Sequence, residues 1–176
     1  MGLNIKEIIP RKEIEISDLK EKVVFVDAYN ILYQFLSTIR QPDGTPLMDN
    51  KRRVTSHLSG IFYRNVNLLS EGIKMVYVFD GEPPKLKAGT WGIREKGREL
   101  AREKYEVAKQ EEDIEAMKRY SAALIKLDSE MVRESKELLE AMGIAVVQAP
   151  GEGEAEAAYL SRVKNSFGVV SQDYAS

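Results

Sequence analysis

The sequence predicts an α/β fold in which a doubly wound, mainly parallel sheet is flanked by helices. Four short apolar segments rich in valine and isoleucine have the composition of strands that are covered on both faces. Helical patterns lie between them, and this alternation is typical of a parallel sheet. A long charged segment interrupts the alternation after the second strand, and we expect a helical insertion there.

The elements follow from local patterns along the chain. The four predicted strands comprise residues 22–27, 75–80, 144–148 and 168–173. Apolar residues recur at helical spacing between them and predict helices at residues 29–37, 56–71, 135–142 and 154–163. Gly143 follows the third of these helices, at a position where glycine commonly ends a helix.

The insertion extends from about residue 90 to residue 127. It is rich in Glu, Lys, Arg and Ala, and its apolar residues form only a thin stripe. One interpretation is a solvated helical hairpin stabilised by ion pairs between residues four apart. The other is a functional lid or arch above the sheet.

Length and composition restrict the class of protein. The 176 residues correspond to about one domain, and 43% hydrophobic with 31% charged residues is typical of a soluble globular protein. The lack of cysteine and the single histidine, His57, exclude thiol catalysis and multi-histidine zinc sites. With no signal peptide and no apolar run of about 18 residues, we expect a cytoplasmic protein that contacts no membrane.

Acidic residues recur where the predicted strands end. Asp27, Asp80 and Asp173 end the first, second and fourth strands, and Glu152 and Glu154 follow the third. Ligands of open α/β sheets bind outside the carboxyl ends of the strands. We therefore expect five carboxylates to meet at one edge of the sheet.

Each acid taken alone could simply cap a helix or start a turn. Five like charges in one cleft would repel one another, so a cation must compensate for them. Carboxylates without histidine or cysteine are hard oxygen ligands that suit Mg²⁺ or Mn²⁺. Five of them could hold two ions about 3.5–4 Å apart, the arrangement that supports phosphodiester cleavage.

Basic residues lie close to these acids in the sequence. Lys87 and Arg94 follow the second strand and are placed to reach a phosphate held at the acidic edge. Arg40 and Arg64 are among the cations near the first two helices, and they could follow a nucleic-acid backbone. Surface solubility explains all four equally well. The net charge of −2 is compatible with a nuclease whose metal-binding acids offset its bases.

Several long motifs occur together in this chain. They are VFVDAYNILYQFL at 24–36, TSHLSGIFYR at 55–64, VYVFDGEPPKLK at 76–87, APGEGEA at 149–155 and SQDY at 171–174. With Arg40 and Gln41 and the segment MGI at 142–144, they resemble the flap endonucleases, the structure-specific 5′ nucleases of DNA replication and repair, in their archaeal form. The resemblance covers essentially all 176 residues.

The resemblance implies a role for each matching residue. The acidic residues match ligands of a two-metal site for Mg²⁺, with Mn²⁺ as a substitute: Asp27, Asp80, Glu152, Glu154 and Asp173. Lys87 and Arg94 match catalytic basic residues at the foot of a helical arch, which corresponds to residues 90–127 and covers the single-stranded 5′ flap. Tyr33 matches an aromatic residue that stacks on a base at the junction. Further DNA contacts are implied for Gly2, Arg40, Thr55 and Arg64.

Two departures from the family pattern concern the end of the chain. The family motif has a second aspartate two residues after the first, and this chain has Ala175 there, so one ligand is missing. Family members also continue well beyond the position of Ser176, with another ligand aspartate, a duplex-binding motif and a sliding-clamp peptide. The resemblance therefore implies that residues 1–176 are the N-terminal nuclease domain, whose partner is DNA with a 5′ flap or nick junction.

Three functions remain open from the sequence. The first is a metal-dependent flap DNA nuclease. The second is an inactive variant that binds flap DNA, because Ala175 replaces a ligand and the C-terminal half expected from the resemblance is missing. The third is a PIN-like nuclease that acts on RNA, which shares acids at strand ends. The charged insertion and the segment around Tyr33 favour the first.

Overall fold

A four-stranded, fully parallel sheet forms the centre of the computed structural model, which describes residues 12–82 and 88–171, the side chains of 88–94 excepted. The strands are β1 (Val23–Asp27), β2 (Lys74–Phe79), β3 (Ala145–Gln148) and β4 (Gly168–Val170). Their order across the sheet is β3-β2-β1-β4. The predicted parallel α/β sheet is confirmed, with β4 shorter than the predicted 168–173 within the described residues.

Six α-helices accompany the sheet in the described ranges, after a short 3₁₀ helix at Ile16–Leu19. They are α1 (Ala28–Thr38), α2 (Ser56–Ser70), α3 (Ala88–Gln110), α4 (Ile114–Ala123), α5 (Ser129–Ala141) and α6 (Gly153–Val163). The fifth begins six residues before the predicted helix at 135–142. The reason is a side-chain cap, because the Asp128 carboxylate accepts a hydrogen bond from the Met131 amide at 2.8 Å.

Helices cover both faces of the sheet because successive side chains of a strand point to opposite sides. On one face, Val24 and Val26 of β1 pack in a core with residues of α1, α2 and α5, including Phe35, Ile61 and Leu139. On the other face, Phe25 and Val78 pack with Ala157 of α6. This arrangement is the doubly wound one that the sequence predicts.

The order of the strands determines where a ligand can bind. The chain passes from β1 to β2 and β3 on one side, and α6 then returns it to β4 on the other side of β1. The strand order therefore reverses next to β1, and crevices at such reversals are the usual ligand sites of open α/β sheets. The carboxyl end of β1 is Asp27.

The charged insertion forms a helical hairpin. Helices α3 and α4 pack against each other, and Ala101, Ala108 and Met117 are buried in this part of the molecule. The turn between them contains Glu112 with a φ of 56°, and the Asp113 carboxylate caps α4 by accepting from the Ala116 amide at 3.0 Å. The α3–α4 hairpin thus occupies the predicted insertion.

Within the described ranges, no helix has the length and apolar character needed to cross a bilayer.

Candidate functional site

Asp27 lies at the carboxyl end of β1 and caps α1. Its carboxylate accepts a hydrogen bond from the Asn30 amide at 3.1 Å, and only 8% of the residue is exposed. The capping role that the sequence left open is therefore present. A short side chain that both ends a strand and starts a helix is held in a fixed place at the edge of the sheet.

Asp80 directly follows β2 and is held by the start of α6. Its Oδ1 accepts a hydrogen bond from the Gly153 amide at 2.7 Å. A Cβ atom at Gly153 would lie 2.7 Å from that same oxygen and 3.2 Å from the Val78 carbonyl oxygen. Only a glycine allows α6 to approach the end of β2 this closely.

The end of β2 is also fixed by the segment after β3. The Gly81 amide donates to the Gly151 carbonyl at 2.6 Å, and a Cβ at Gly81 would lie 2.2 Å from the Ala149 carbonyl oxygen. The Gln148 side-chain amide donates to the carbonyl of Asp80. Sequence reasoning missed the positioning roles of Gln148, Gly81 and Gly153, although a glycine between two glutamates was a usable signal.

Glu152 and Glu154 lie at the start of α6 and differ in environment. Glu152 is the residue before the helix and is exposed, whereas Glu154 is partly buried in the first turn. The Glu154 Oε1 atom is buried and has no hydrogen-bond partner within the part of the chain that the structure describes. A buried carboxylate oxygen without a donor is costly unless a cation or water satisfies it.

Electrostatic repulsion links three of these acids. The pKa of Asp27 is raised, first because burial disfavours its charged form and then because the charges of Asp80 and Glu154 lie nearby. Burial followed by the charge of Asp80 also raises the pKa of Tyr29, whose ring packs edge-on to Phe79 at 6.3 Å. Asp27, Asp80 and Glu154 are therefore brought together at one edge, which we call the acidic edge.

The donor chemistry of the acidic edge suits a hard divalent cation, because it offers carboxylate oxygens and no sulfur or imidazole. The side-chain geometry does not form a complete metal site. Within residues 12–82 and 88–171, no group of three or more Asp, Glu or His side chains is arranged to hold a metal. Two of the carboxylates are directed to the backbone amides of Asn30 and Gly153 instead. The unpartnered Glu154 oxygen is nevertheless an observation in favour of an ion.

Several predicted site residues lie outside the described residues. These are Gly2, Lys87, Asp173 and the Ala175 position, together with the side chain of Arg94, whose backbone belongs to α3. Their predicted roles remain predictions.

The predicted DNA-contacting residues of α1 and α2 are on or near the surface. Tyr33 is 45% exposed on α1. Arg64 is exposed on α2, where its guanidinium lies 5.2 Å from the centre of the Phe35 ring and donates to the Gln34 side chain at 3.3 Å. Thr55 precedes α2 and makes no side-chain cap, so its hydroxyl does not satisfy the helix.

Arg40 has a different environment from the other predicted DNA contacts. Its guanidinium is half-buried and donates to three acceptors of the protein itself, one of them on α4. A direct contact with DNA stays an untested prediction for this residue.

The fold and the acidic edge define a doubly wound α/β protein with carboxylates at the strand ends and a helical hairpin inserted after β2. Comparison with family models identifies this class further. The XPG N-terminal domain matches residues 3–101, and the XPG I-region matches residues 143–176. The chain belongs to the XPG family.

Relatives and solved structures agree with this family. The chain is 53% identical over 179 residues to flap endonuclease 1 of Hyperthermus butylicus and 52% identical over 176 residues to that of Pyrococcus furiosus. The alignments cover all of this chain but 51% and 52% of those proteins, so the chain spans about half the length of the curated relatives it matches.

Solved structures reproduce the fold. Flap endonuclease-1 from Methanococcus jannaschii matches with a TM-score of 0.73 and 43% identity, over 98% of this chain and 55% of that one. The catalytic core of Rad2 in complex with DNA substrate matches with a TM-score of 0.61 and 29% identity, over 92% of this chain and 41% of that one. The resemblance predicted from the motifs is confirmed.

Proposed function

We propose that residues 1–176 form the nuclease domain of a structure-specific 5′-flap DNA endonuclease with 5′–3′ exonuclease activity. The observation that carries the proposal is the grouping of Asp27, Asp80 and Glu154 where the strand order reverses. The identity of about half of all positions to flap endonucleases supports it. DNA with a 5′ flap or nick junction is the proposed substrate, in the cytoplasm of a prokaryotic, archaeal cell.

The acidic edge would hold two Mg²⁺ ions, or Mn²⁺ in their place, through Asp27, Asp80, Glu152, Glu154 and Asp173. Such ions, when bound, activate a water molecule and stabilise the leaving oxygen of the phosphodiester. The protein holds Asp80 in place through the Gly153 amide and Asp27 through the Asn30 amide.

Basic and aromatic residues would bind the DNA around this edge. Lys87 and Arg94 are proposed to neutralise charge that develops on the scissile phosphate. Tyr33 is exposed on the same helix that Asp27 caps, so a base stacked on it would lie on the helix that leads to the acidic edge. Thr55, Arg64 and Gly2 are proposed to contact the strands, and a sliding clamp is a proposed partner of the longer relatives.

Two alternative functions can be distinguished from this one by experiment. Ala175 stands where the family has a ligand aspartate, so the chain could bind flap DNA without cutting it. A PIN-like nuclease would prefer single-stranded RNA. The proposed function predicts cleavage of flap DNA in preference to RNA.

The test is cleavage of a 5′-flap DNA by this chain and by its Ala175→Asp variant in Mg²⁺, with binding measured in Ca²⁺. We expect the variant to cleave at least about 100-fold faster, the scale of one restored electrostatic element. Flap binding without cleavage by this chain, together with cleavage by the variant, would support the binding-only alternative, whereas inactivity of both chains would show that the missing ligand is not what limits activity. Cleavage of RNA but not flap DNA would overturn the proposal. Equally fast cleavage by both chains would show that position 175 is no ligand.

A further inference from the structure

The loop between α1 and α2 contains a segment that is stabilised by hydrogen bonds within the loop. At residues 41–45, the Gly44 amide donates to the Gln41 carbonyl at 2.9 Å and the Gln41 amide to the Thr45 carbonyl at 2.8 Å. The Asp43 carboxylate accepts from the Thr45 amide at 2.9 Å and from its hydroxyl at 2.7 Å. We call residues 40–46 the α1 loop.

Arg40 connects this loop to two helices. Its Nε donates to the Leu36 carbonyl in the last turns of α1 at 2.9 Å. Its Nη1 donates to the Gly44 carbonyl at 2.7 Å and to the Ser121 hydroxyl oxygen at 2.8 Å. Ser121 lies on α4, 81 positions later in the chain, and only 7% of it is exposed.

The backbone contact between the α1 loop and α4 is equally close. Gly44 has a φ of +84°, and a Cβ atom there would lie 2.8 Å from the Lys118 Cα and 3.1 Å from the Ser121 Oγ. A side chain at this position would push the helix away. Helix α3 reaches the loop as well, since the pKa of Tyr105 is raised by burial and then by the nearby charge of Asp43.

These contacts join the hairpin to the helix that Asp27 caps. Helix α1 begins at the Asp27 cap and ends next to Arg40, so one rigid element connects the acidic edge with the α1 loop. A planar guanidinium that bridges several acceptors fixes their relative orientation, which a flexible ammonium group does not.

We propose that Arg40 is a positioning residue that fixes the α3–α4 hairpin to the end of α1 through Gly44 and Ser121. It sets where the hairpin lies relative to the acidic edge and does not act by binding a DNA phosphate. The consequence for flap binding rests on the proposed function, whereas the fixed position of the hairpin is a property of the protein without DNA.

Two substitutions distinguish positioning from a phosphate contact. Arg40→Lys keeps the positive charge, and lysine serves well as a point charge for phosphate, but it cannot bridge Leu36, Gly44 and Ser121 together. Ser121→Ala removes the acceptor on α4 and leaves the charge of Arg40 unchanged. Ser121→Thr keeps the hydroxyl, and Arg133→Lys on the exposed face of α5 is the control for an arginine outside the loop.

The first measurement is amide hydrogen exchange of residues 114–123 in the DNA-free protein. We expect Arg40→Lys and Ser121→Ala each to speed exchange there about three- to tenfold, the effect of one lost hydrogen bond. The double variant should exchange no faster than either single one, and Ser121→Thr should restore protection. Exchange that is unchanged in both single variants would overturn the proposal.

The second measurement is flap-DNA affinity in Ca²⁺ as a function of salt. Positioning predicts that Arg40→Lys and Ser121→Ala weaken binding by the same factor and leave the salt slope unchanged, while Arg133→Lys binds normally. Normal binding by Arg40→Lys with a loss only in Arg40→Ala would show a phosphate contact and overturn the proposal. If the parent chain binds no flap DNA, the proposed function is contradicted. The positioning role of Arg40 is then decided by the hydrogen-exchange measurement alone.

Discussion

At the scale of single residues, Gly153 matters because it has no Cβ atom, which lets α6 approach Asp80 closely. We expect Gly153→Ala to reduce the free energy of unfolding by about 1–3 kcal/mol, the usual cost of overpacking, because its Cβ would meet Asp80 Oδ1 at 2.7 Å. Urea unfolding measures the change. Gly151→Ala is the matched control, since its Cβ would have no atom within 4 Å, and equal effects of the two variants would contradict the close packing.

A second residue-scale prediction concerns pH. His57 is fully buried and both ring nitrogens lack hydrogen bonds among the described residues, with Glu134 Oε2 3.7 Å from Nε2. Burial lowers the pKa of His57 below its ordinary 6.5, against the opposing charges of Glu134 and Asp128. The unfolded chain therefore takes up the proton first, and the stability present above the unfolded pKa is lost as the pH falls through the folded value.

We expect the free energy of unfolding to fall between about pH 7.5 and about pH 5.5, where histidine is the side chain that ordinarily titrates. His57 is the only histidine of the chain, so His57→Gln should flatten this dependence whatever it does to the absolute stability. Urea titrations at several pH values give the slope. An equally steep slope in the variant would assign the dependence to other groups.

Residue positions were predictable where the signal was local. Asp27 ends β1 and Asp80 directly follows β2, so the strand pattern placed both correctly at the edge of the sheet. The contact between Arg40 and Ser121 joins residues 81 positions apart, and nothing in the pattern around either residue indicates its partner. The sequence therefore assigned Arg40 to a general basic surface, because the burial of its guanidinium is a tertiary property.

At the scale of elements, α5 shows how a cap can override a hydrophobic pattern. The apolar spacing predicted a helix over 135–142, but the helix begins at Ser129 because Asp128 satisfies the Met131 amide. We expect Asp128→Ala to cost about 1 kcal/mol of stability, the usual value for an N-cap, at a pH where His57 is neutral. Thermal unfolding checks it against Asp128→Asn, which keeps a capping oxygen and should remain close to the parent.

The charged α3–α4 hairpin differs from α5, because its helices were predicted correctly from composition although it has no large apolar face. Its composition predicted helices correctly, since Glu, Lys, Arg and Ala favour helices even without a large apolar face. The sequence left open whether it was a solvated hairpin or a lid, because that difference depends on what the helices touch. Helix α4 contacts the α1 loop through Gly44 and Ser121, so the hairpin is attached to the end of α1, and its role as a lid or arch stays a prediction.

At the scale of the molecule, the doubly wound topology brings together acids from distant parts of the chain. If the acidic edge holds a cation, Mg²⁺ should raise the Tm progressively with concentration, because a ligand that binds only the folded state stabilises it. Asp80→Asn should reduce that rise while keeping an oxygen for the Gly153 amide. Scanning calorimetry at Mg²⁺ concentrations up to tens of millimolar measures the effect in the range where the ligand exceeds a weak Kd.

Glu140→Gln, at an exposed position of α5, controls for general effects of one fewer negative charge. A Tm that does not depend on Mg²⁺ in the parent chain would count against a formed metal site.

The fold class was predictable at this scale because the alternation of strands and helices repeats several times along the chain. Whether the acids form a complete metal site was not predictable from the sequence. The direction of each carboxylate depends on tertiary hydrogen bonds such as that between Asp80 and the Gly153 amide.

The central position of β1 has a consequence for how the protein folds. Val24 pairs with Met75 on one side and with Gly168 on the other, so the second pairing must wait until a much later part of the chain has been made. Contacts between residues so far apart give slow folding, because the loop must close before the contact contributes stability. During synthesis at about 5–20 residues per second, one edge of β1 stays open for several seconds. Pulse-labelling of refolding chains should therefore find the amides between β1 and β4 protected later than those between β1 and β2, so Asp27 at the end of β1 gains its second neighbouring strand late.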